Sequence, residues 1–143
     1  MIARLKGNIA EVTPETILLD VNGVGYELTC SAQTLADIQA QTWGGTGASM
    51  KESAVLSTLF VYTHVREDIL QLFGFSTSLE KQLFLSLLKV NGIGPKMAIN
   101  ILSGATADQL EKMIELEDVK ALSKLPKVGK KTAEQMILTL KGK

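Results

Sequence analysis

Two short stretches of this sequence hold residues suited to gripping an anion. In the first, Asn91-Gly92-Ile93-Gly94-Pro95-Lys96, two glycines, a proline and a lysine run straight into the apolar helical pattern "MAINIL". Gly92 and Gly94 permit backbone torsions and close approaches that a side chain would block, and Pro95 suits a first helical position, where no N–H needs an intrahelical partner. A helix that starts after Gly94 leaves its first N–H groups unpaired and carries roughly half a positive charge there, so the turn favours an anion such as a phosphate. Lys96 adds a full positive charge in the turn where a helix ordinarily favours an acid. That placement points to a ligand.

The second stretch is Lys127-Val128-Gly129-Lys130-Lys131. A shift of 35 residues lays "LLKVNGIGPKMAINIL" over "LSKLPKVGKKTAEQMI", with Leu87 on Leu122, Val90 on Leu125, Gly94 on Gly129, Lys96 on Lys131 and Ala98 on Ala133. This is an internal duplication. Each copy reads as a helix, a tight turn of apolar-x-apolar-Gly form, and a second helix whose alanine, four residues past the glycine, lets the two helices pack closely. The pattern is helix-hairpin-helix. Such hairpins offer backbone N–H groups to successive phosphates while lysines screen neighbouring charge, and none of those contacts reads a base. A Gly-x-Gly turn between helices is by itself common, and it is the repetition in register, with lysines at both turns, that favours nucleic acid.

Other chemistry is hard to find. "VGKKT" fails as a phosphate-binding P-loop, because Lys124 stands where glycine is needed and Lys131 stands where Ser or Thr would hold magnesium. No nucleophile–base pair and no carboxylate cluster with metal spacing is evident, so no catalysis, metal or cofactor is expected. One cysteine, Cys30, excludes an internal disulfide, and with His64 the only histidine there is no Cys/His cluster for zinc. Cys30 reads as a core residue at a strand end and His64 as a solvated strand residue. With 45% apolar residues in 143 the chain can bury a core, whereas no apolar run approaches the roughly 18 to 20 residues that span a bilayer. The opening "MIARLKGNIAEV" lacks the apolar centre and cleavage site of a signal peptide, so the cytoplasm is expected and a membrane is not.

Charge divides along the chain. Residues 1–75 hold 4 Lys/Arg against 8 Asp/Glu, and residues 76–143 hold 11 against 7, so a net charge of zero conceals an acidic half and a basic half. The last 24 residues carry 7 lysines and one acid, Glu134. On charge alone a solvated lysine-rich helix face is the simpler explanation, and it is the turns that argue for a partner.

The elements that must position these turns follow from periodicity. "TILLDVNGVGYELTC" surrounds Asn22-Gly23, a strong hairpin signal, and "VLSTLFVYTHV" with "ILQLFGF" makes a second hairpin with Arg66 to Asp68 at its tip. With "IARLKGNIAEV" there are at least five short strands, which suit a small barrel. Gln41 to Ser53, rich in Gly, Ser and Thr, reads as a mobile loop. Strand period gives way to helix period near Gly74 to Ser78. Beyond it, Thr77 with Glu80 and Thr106 with Gln109 form capping-box patterns, and apolar spacing of three and four continues to the end. The expected architecture is α+β, strands first and helices after: a barrel over 1–76 and a helical domain with two helix-hairpin-helix motifs over 77–143.

The opening "MIARLKG", the hairpin "VNGVGYEL", the run "THVREDILQLFGF", then "NGIGPKMAINILSG" and "LPKVGKKTAEQMILTLK", in that order over nearly the whole chain, resemble the RuvA family of Holliday-junction-binding subunits. The resemblance implies an N-terminal OB-fold barrel and tandem helix-hairpin-helix motifs. Its implied DNA contacts are Asn91, Gly92, Ile93, Gly94, Lys96, Lys127, Val128, Gly129, Lys130 and Lys131. It implies assembly into a four-fold homotetramer, or two tetramers face to face, that holds a four-way junction open and flat in recombination and DNA repair. The partners implied are the RuvB motor, which hydrolyses ATP and pumps the arms, and the RuvC resolvase. In this family the acid-tipped hairpin is the acidic pin, matched here by Glu67 and Asp68. Read alone, two acids at a turn are ordinarily just solvated.

Three departures stand out. Lys127 replaces the glycine found at Gly92, which puts the geometry of the second turn in question. The stretch Gln41–Ser53 is longer than the family pattern leads one to expect. The family continues past the second hairpin through a flexible linker to a small domain that contacts RuvB, so a chain ending at Lys143 is expected to bind junctions without stimulating the motor. Two other readings remain: a repair enzyme that uses helix-hairpin-helix for grip, which would need a placed Lys or Asp or an acid cluster, and a protein-binding module whose lysines are merely solvated.

Overall fold

A computed structural model of the chain describes residues 1–43 and 56–141. The elements run β1 (Arg4–Val12), β2 (Thr16–Val21), β3 (Val24–Cys30), α1 (Ala32–Trp43), β4 (Ser57–Arg66), β5 (Ile69–Phe75), α2 (Ser78–Leu88), α3 (Pro95–Gly104), α4 (Ala107–Glu115), α5 (Val119–Ser123) and α6 (Lys130–Leu140). They form two compact units, Met1–Lys81 and Gln82–Lys143, with the division inside α2.

The five strands close into an OB-like barrel in the order β1-β2-β3-β5-β4. Closure comes from the parallel pairing of Leu28 with Leu72 and Cys30 with Gly74, the other four seams being antiparallel. Strand alternation decides what faces inward: Ile17 and Leu19 on β2, and Leu59 and Val61 on β4, are buried while their neighbours are less so. Gly7 marks a close approach, since a Cβ there would lie 2.2 Å from the Asp20 carbonyl oxygen on β2. The β2–β3 hairpin turns on Asn22 (φ 52°) and Gly23 (φ 89°), the positive torsions of a type I′ turn, and the Gly23 N–H donates to Asp20 Oδ1 at 2.8 Å.

Helix α1 was not expected from periodicity. Its signal is short: Ser31 Oγ accepts from the Thr34 N–H at 3.1 Å as an N-cap, and Leu35 and Ile38 join the barrel core. Of the stretch read as a mobile loop from Gln41 to Ser53, residues 41–43 belong to this helix, and 44–53 lie outside the described residues. Cys30 ends β3 in the core, where burial pushes its thiol up to about 12, the Gly74 backbone hydrogen bond opposing and Glu80 adding to the rise. Such a thiol is inert at neutral pH. His64 is less solvated than its strand position suggests: it is half-buried, with its ring centroid 6.1 Å from Tyr62 and 6.4 Å from Phe73.

The two capping-box patterns behave differently. At α4 both halves form, with the Thr106 N–H donating to Gln109 Oε1 at 3.0 Å and the Gln109 N–H to Thr106 Oγ1 at 3.2 Å. At α2 only one half does: the Glu80 N–H donates to Thr77 Oγ1 at 3.2 Å, but the Glu80 carboxylate turns away into the barrel unit. There Oε2 accepts from Ser31 Oγ at 3.0 Å and Oε1 accepts from Thr34 Oγ1. Glu80 is 4% exposed, so its charge is costly and must be held by these donors.

Burial pushes the Glu80 carboxyl up from its ordinary 4.5, the Thr34 and Ser31 hydroxyls opposing and Asp37 adding to the rise. An acid that binds its proton more tightly when folded makes the folded chain lose stability as pH climbs from 4.5 through the raised value. Urea unfolding across that range should show the decline in the parent and a flatter profile in Glu80→Gln. Glu80→Ala should cost about 1 to 3 kcal/mol by stranding buried hydroxyls.

Candidate nucleic-acid interface

The two hairpins repeat bond for bond. In the first, between α2 and α3, the Val90 N–H donates to Leu87 O at 3.0 Å, Ile93 N–H to Val90 O at 3.1 Å and Ala98 N–H to Gly94 O at 2.9 Å. In the second, between α5 and α6, Leu125 N–H donates to Leu122 O at 3.1 Å, Val128 N–H to Leu125 O at 3.1 Å and Ala133 N–H to Gly129 O at 2.9 Å. Every donor and acceptor is displaced by the same 35 positions that align the sequence. Burial follows the same register: Val90 with Leu125, Ile93 with Val128 and Ala98 with Ala133 are all in the core.

The glycines have different reasons to be there. Gly92 sits at φ 93°, where glycine is favoured, and its counterpart Lys127 takes φ 62°. Both turns therefore pass through the left-handed region, and the substitution of lysine for glycine leaves that feature of the second turn in place. Gly94 (φ −97°, ψ 179°) and Gly129 (φ −92°, ψ 179°) are extended, so torsion does not require glycine at either. A Cβ at either position would meet nothing within 4 Å. What glycine provides there is an uncovered backbone, open to an approaching group.

These two glycines are the N-caps of α3 and α6, and neither helix has a side-chain cap or an acid in its first turn. The contrast with their neighbours is direct, since α4 is capped by Thr106 and α5 by Asp118 Oδ1, which accepts from the Ala121 N–H at 3.1 Å. The first N–H groups of α3 and α6 lack an intrahelical acceptor and face a surface with lysines on it. Lys96, Lys127, Lys130 and Lys131 are exposed, and none is paired with a carboxylate among the described residues. Asn91, Gly92, Gly94 and Gly129 are exposed as well. Ile93 and Val128, at 5% and 4% exposure, point inward as anchors of the turns and can reach a ligand only through their backbone.

Contact between the hairpins runs through a residue the sequence reading passes over. A Cβ on Gly104, at the end of α3, would lie 2.8 Å from Pro126 Cδ and 3.3 Å from Leu125 Cδ2, so the first hairpin's second helix is seated against the second hairpin's turn. A lone Ser-Gly at a helix end carries no local mark of this; its reason is on another element.

Glu67 and Asp68 lie in the other unit. Arg66 pairs with Ile69, which leaves the two acids as a two-residue loop at the tip of the β4–β5 hairpin, both exposed. Among the described residues no three His, Cys, Asp or Glu side chains gather as a metal site, and no helix is long and apolar enough to cross a membrane.

Comparison with known proteins gives a consistent picture. Residues 1–74 match the RuvA N terminal domain and residues 84–142 match a SAM-like helix-hairpin-helix tandem. Over all 143 residues the chain is 56% identical to the Holliday junction branch migration complex subunit RuvA of Bdellovibrio bacteriovorus, spanning 67% of that protein. It is 46% identical to the subunit of the same name from Neisseria meningitidis serogroup B, spanning 68%. With the one from Tolumonas auensis it shares 47% identity over 141 residues, 99% of this chain and 63% of that one.

Gly129→Ala separates folding from grip. Since φ −92° suits alanine and the added Cβ is unopposed, lower unfolded-state entropy and poorer N-capping nearly cancel, and stability should shift by less than about 1 kcal/mol. Affinity for duplex DNA, measured by fluorescence polarisation, should fall by about tenfold if a phosphate contacts this backbone.

Proposed function

The chain belongs to the RuvA family, and from that premise we propose that it is a structure-selective DNA-binding subunit. It holds a four-way Holliday junction open for branch migration by a RuvB motor. The observation that carries this reading is the pair of hairpins in one hydrogen-bond register, each ending in an uncapped helix start beside unpaired lysines. Backbone amides and lysines at Asn91–Lys96 and Lys127–Lys131 take phosphates without reading bases, so recognition is of shape. The subunit's part is binding and positioning, and ATP-driven work belongs to its partner.

Attraction alone would bind any duplex. Selectivity for a junction needs a second, opposing element, and the acids at the tip of the β4–β5 hairpin supply it. In a four-fold homotetramer with the pins at its axis, each copy brings Glu67 and Asp68 to the crossover. Like charges at short range there oppose the approach of phosphates and help keep separated strands apart. The acidic half of the chain shapes the centre and the basic half holds the arms.

A gel-shift comparison of a four-way junction with a linear duplex of equal length tests the reading, with tight and salt-sensitive preference for the junction expected. Sedimentation with and without the junction should give a tetramer or a pair of tetramers. Replacing Lys130 and Lys131 with alanine should weaken junction and duplex alike and lower the salt slope by roughly 1 to 2 units, about 0.9 per phosphate contact; an unchanged slope counts against the hairpin as the grip. Glu67→Gln with Asp68→Asn should leave affinity equal or higher while changing junction conformation, read by energy transfer between labelled arms. A large loss of affinity contradicts the repulsive role.

A further inference from the structure

Within the aligned stretch of the 35-residue repeat only a few residues are identical in both hairpins, and all but one pair have an evident reason. Leu87 with Leu122 and Ala98 with Ala133 are fully buried. Gly94 and Gly129 are the bare helix starts, and Lys96 and Lys131 stand in the turns that follow them. Lys89 and Lys124 are the pair left over. Both are exposed, and neither is paired with a carboxylate among the described residues. Exposed positions of the turns differ between the copies elsewhere, since Asn91 aligns with Pro126 and Gly92 with Lys127. What the two exposed surfaces share is the glycine at the helix start, the lysine after it and this lysine before the turn.

Their placement repeats as closely as their identity. The Lys89 N–H donates to Ser86 O at 3.0 Å and the Lys124 N–H to Ala121 O at 3.2 Å, the same bond displaced by 35 positions. Each lysine directly follows the first helix of its hairpin, α2 or α5, and precedes the turn that runs from Val90 to Ile93 or from Leu125 to Val128. A turn with an i to i+3 hydrogen bond brings its ends within about 7 Å. Lys89 and Gly94 are the next residues outside those ends, as are Lys124 and Gly129, so the Cα atoms of each pair are no more than about 15 Å apart. An ammonium on a flexible four-carbon stem thus stands near each bare helix start. A helix C-terminus also favours a cation, which would account for a lysine at either place without a ligand. That account is incomplete here, because α5 already has Lys120 in its last turn while α3 and α6 have no basic residue in theirs.

We propose that Lys89 and Lys124 are a second pair of phosphate contacts. Each hairpin brackets a DNA backbone between a lysine that precedes the turn and one that follows the glycine, Lys89 with Lys96 and Lys124 with Lys131. The class of ligand rests on the junction-binding reading, and the interface then reaches back to the ends of α2 and α5. An ammonium meets charge without reading sequence, so junction arms and plain duplex gain alike.

Salt dependence of binding tests this on the whole chain, with Kd for a four-way junction and for a duplex measured by fluorescence polarisation between about 50 and 200 mM salt. One phosphate contact steepens the slope of log K against log salt by about 0.9. Over that range each of Lys89→Ala and Lys124→Ala should therefore lose about 3.5-fold less affinity than the parent, and the double variant about 12-fold less. Lys112→Ala removes the same charge from an exposed position on α4, outside both hairpins, and should leave the parent's slope. Lys89→Arg and Lys124→Arg should restore it. Urea midpoints should match the parent, and Lys89→Gln and Lys124→Gln serve if alanine unfolds the chain. Unchanged slopes in the Lys89 and Lys124 variants overturn the proposal, all the more with a lowered urea midpoint, the mark of lysines that serve only the helix ends; so does an equal loss of slope in Lys112→Ala. If Lys130→Ala with Lys131→Ala flattens the slope while these variants do not, this inference fails and the grip stands, whereas a parent that binds neither DNA removes both.

Discussion

Backbone N–H groups without a side-chain cap, at the starts of α3 and α6, are the constraint on which the proposed interface depends. A helix start exposes donors that must be met by a side chain, by water or by a ligand. This chain meets them with side chains at α4 and α5, where Thr106 and Asp118 accept, and leaves Gly94 and Gly129 bare at the two helices of the hairpins. The difference lies in one residue per helix. The packing beneath those bare ends is close: Ile93 and Val128 anchor the turns in the core, Ala98 and Ala133 are fully buried in the helices that follow, and Gly104 lets one hairpin seat against the turn of the other.

Charge is distributed to match. Lysines flank the bare helix starts, where their positive charge adds to that of the helix dipole instead of cancelling it, a locally unfavourable placement that an approaching phosphate would relieve. The acids of the β4–β5 tip stand on a two-residue loop at the end of a hairpin whose strands pair from Phe60 with Phe75 to Arg66 with Ile69, its base forming part of the barrel. A net charge of zero gives no hint of either feature, because the two fields have opposite sign and sit on different units.

The barrel contributes more than a scaffold for the pin. Its closing seam between β3 and β5 places Cys30 and Ser31 beside the start of α1, and Ser31 with Thr34 then offers two hydroxyls to Glu80. A residue that local rules assign to a helix cap is instead the most deeply held acid of the described chain. The competition is decided by geometry: Gln109, in the same sequence pattern at α4, has no such partner and completes its box.

Most of the architecture was legible because it depends on short-range regularities. Period-two alternation and Asn22-Gly23 announce the strands and their hairpin, the change of period marks the helices, and a duplication of 35 residues aligns the two hairpins down to individual hydrogen bonds. The residues proposed as contacts were assigned to each turn from the same repeat. What stayed hidden depends on partners remote in the chain. Helix α1 presents Ala32, Ala36 and Ala40 to solvent and is held by Leu35 and Ile38, a choice of face that only the barrel core makes, and Lys127 takes its left-handed torsion between the buried Leu125 and Val128, in a turn whose first copy has glycine there. Gly94, Gly104 and Gly129 look alike as letters, yet one is small because Pro126 presses on it and two are bare because nothing does. Sequence determined which residues could turn, cap or carry charge; only the closed barrel and packed hairpins decided which of them would, since burial and long-range hydrogen bonds outweigh local preference wherever the two compete.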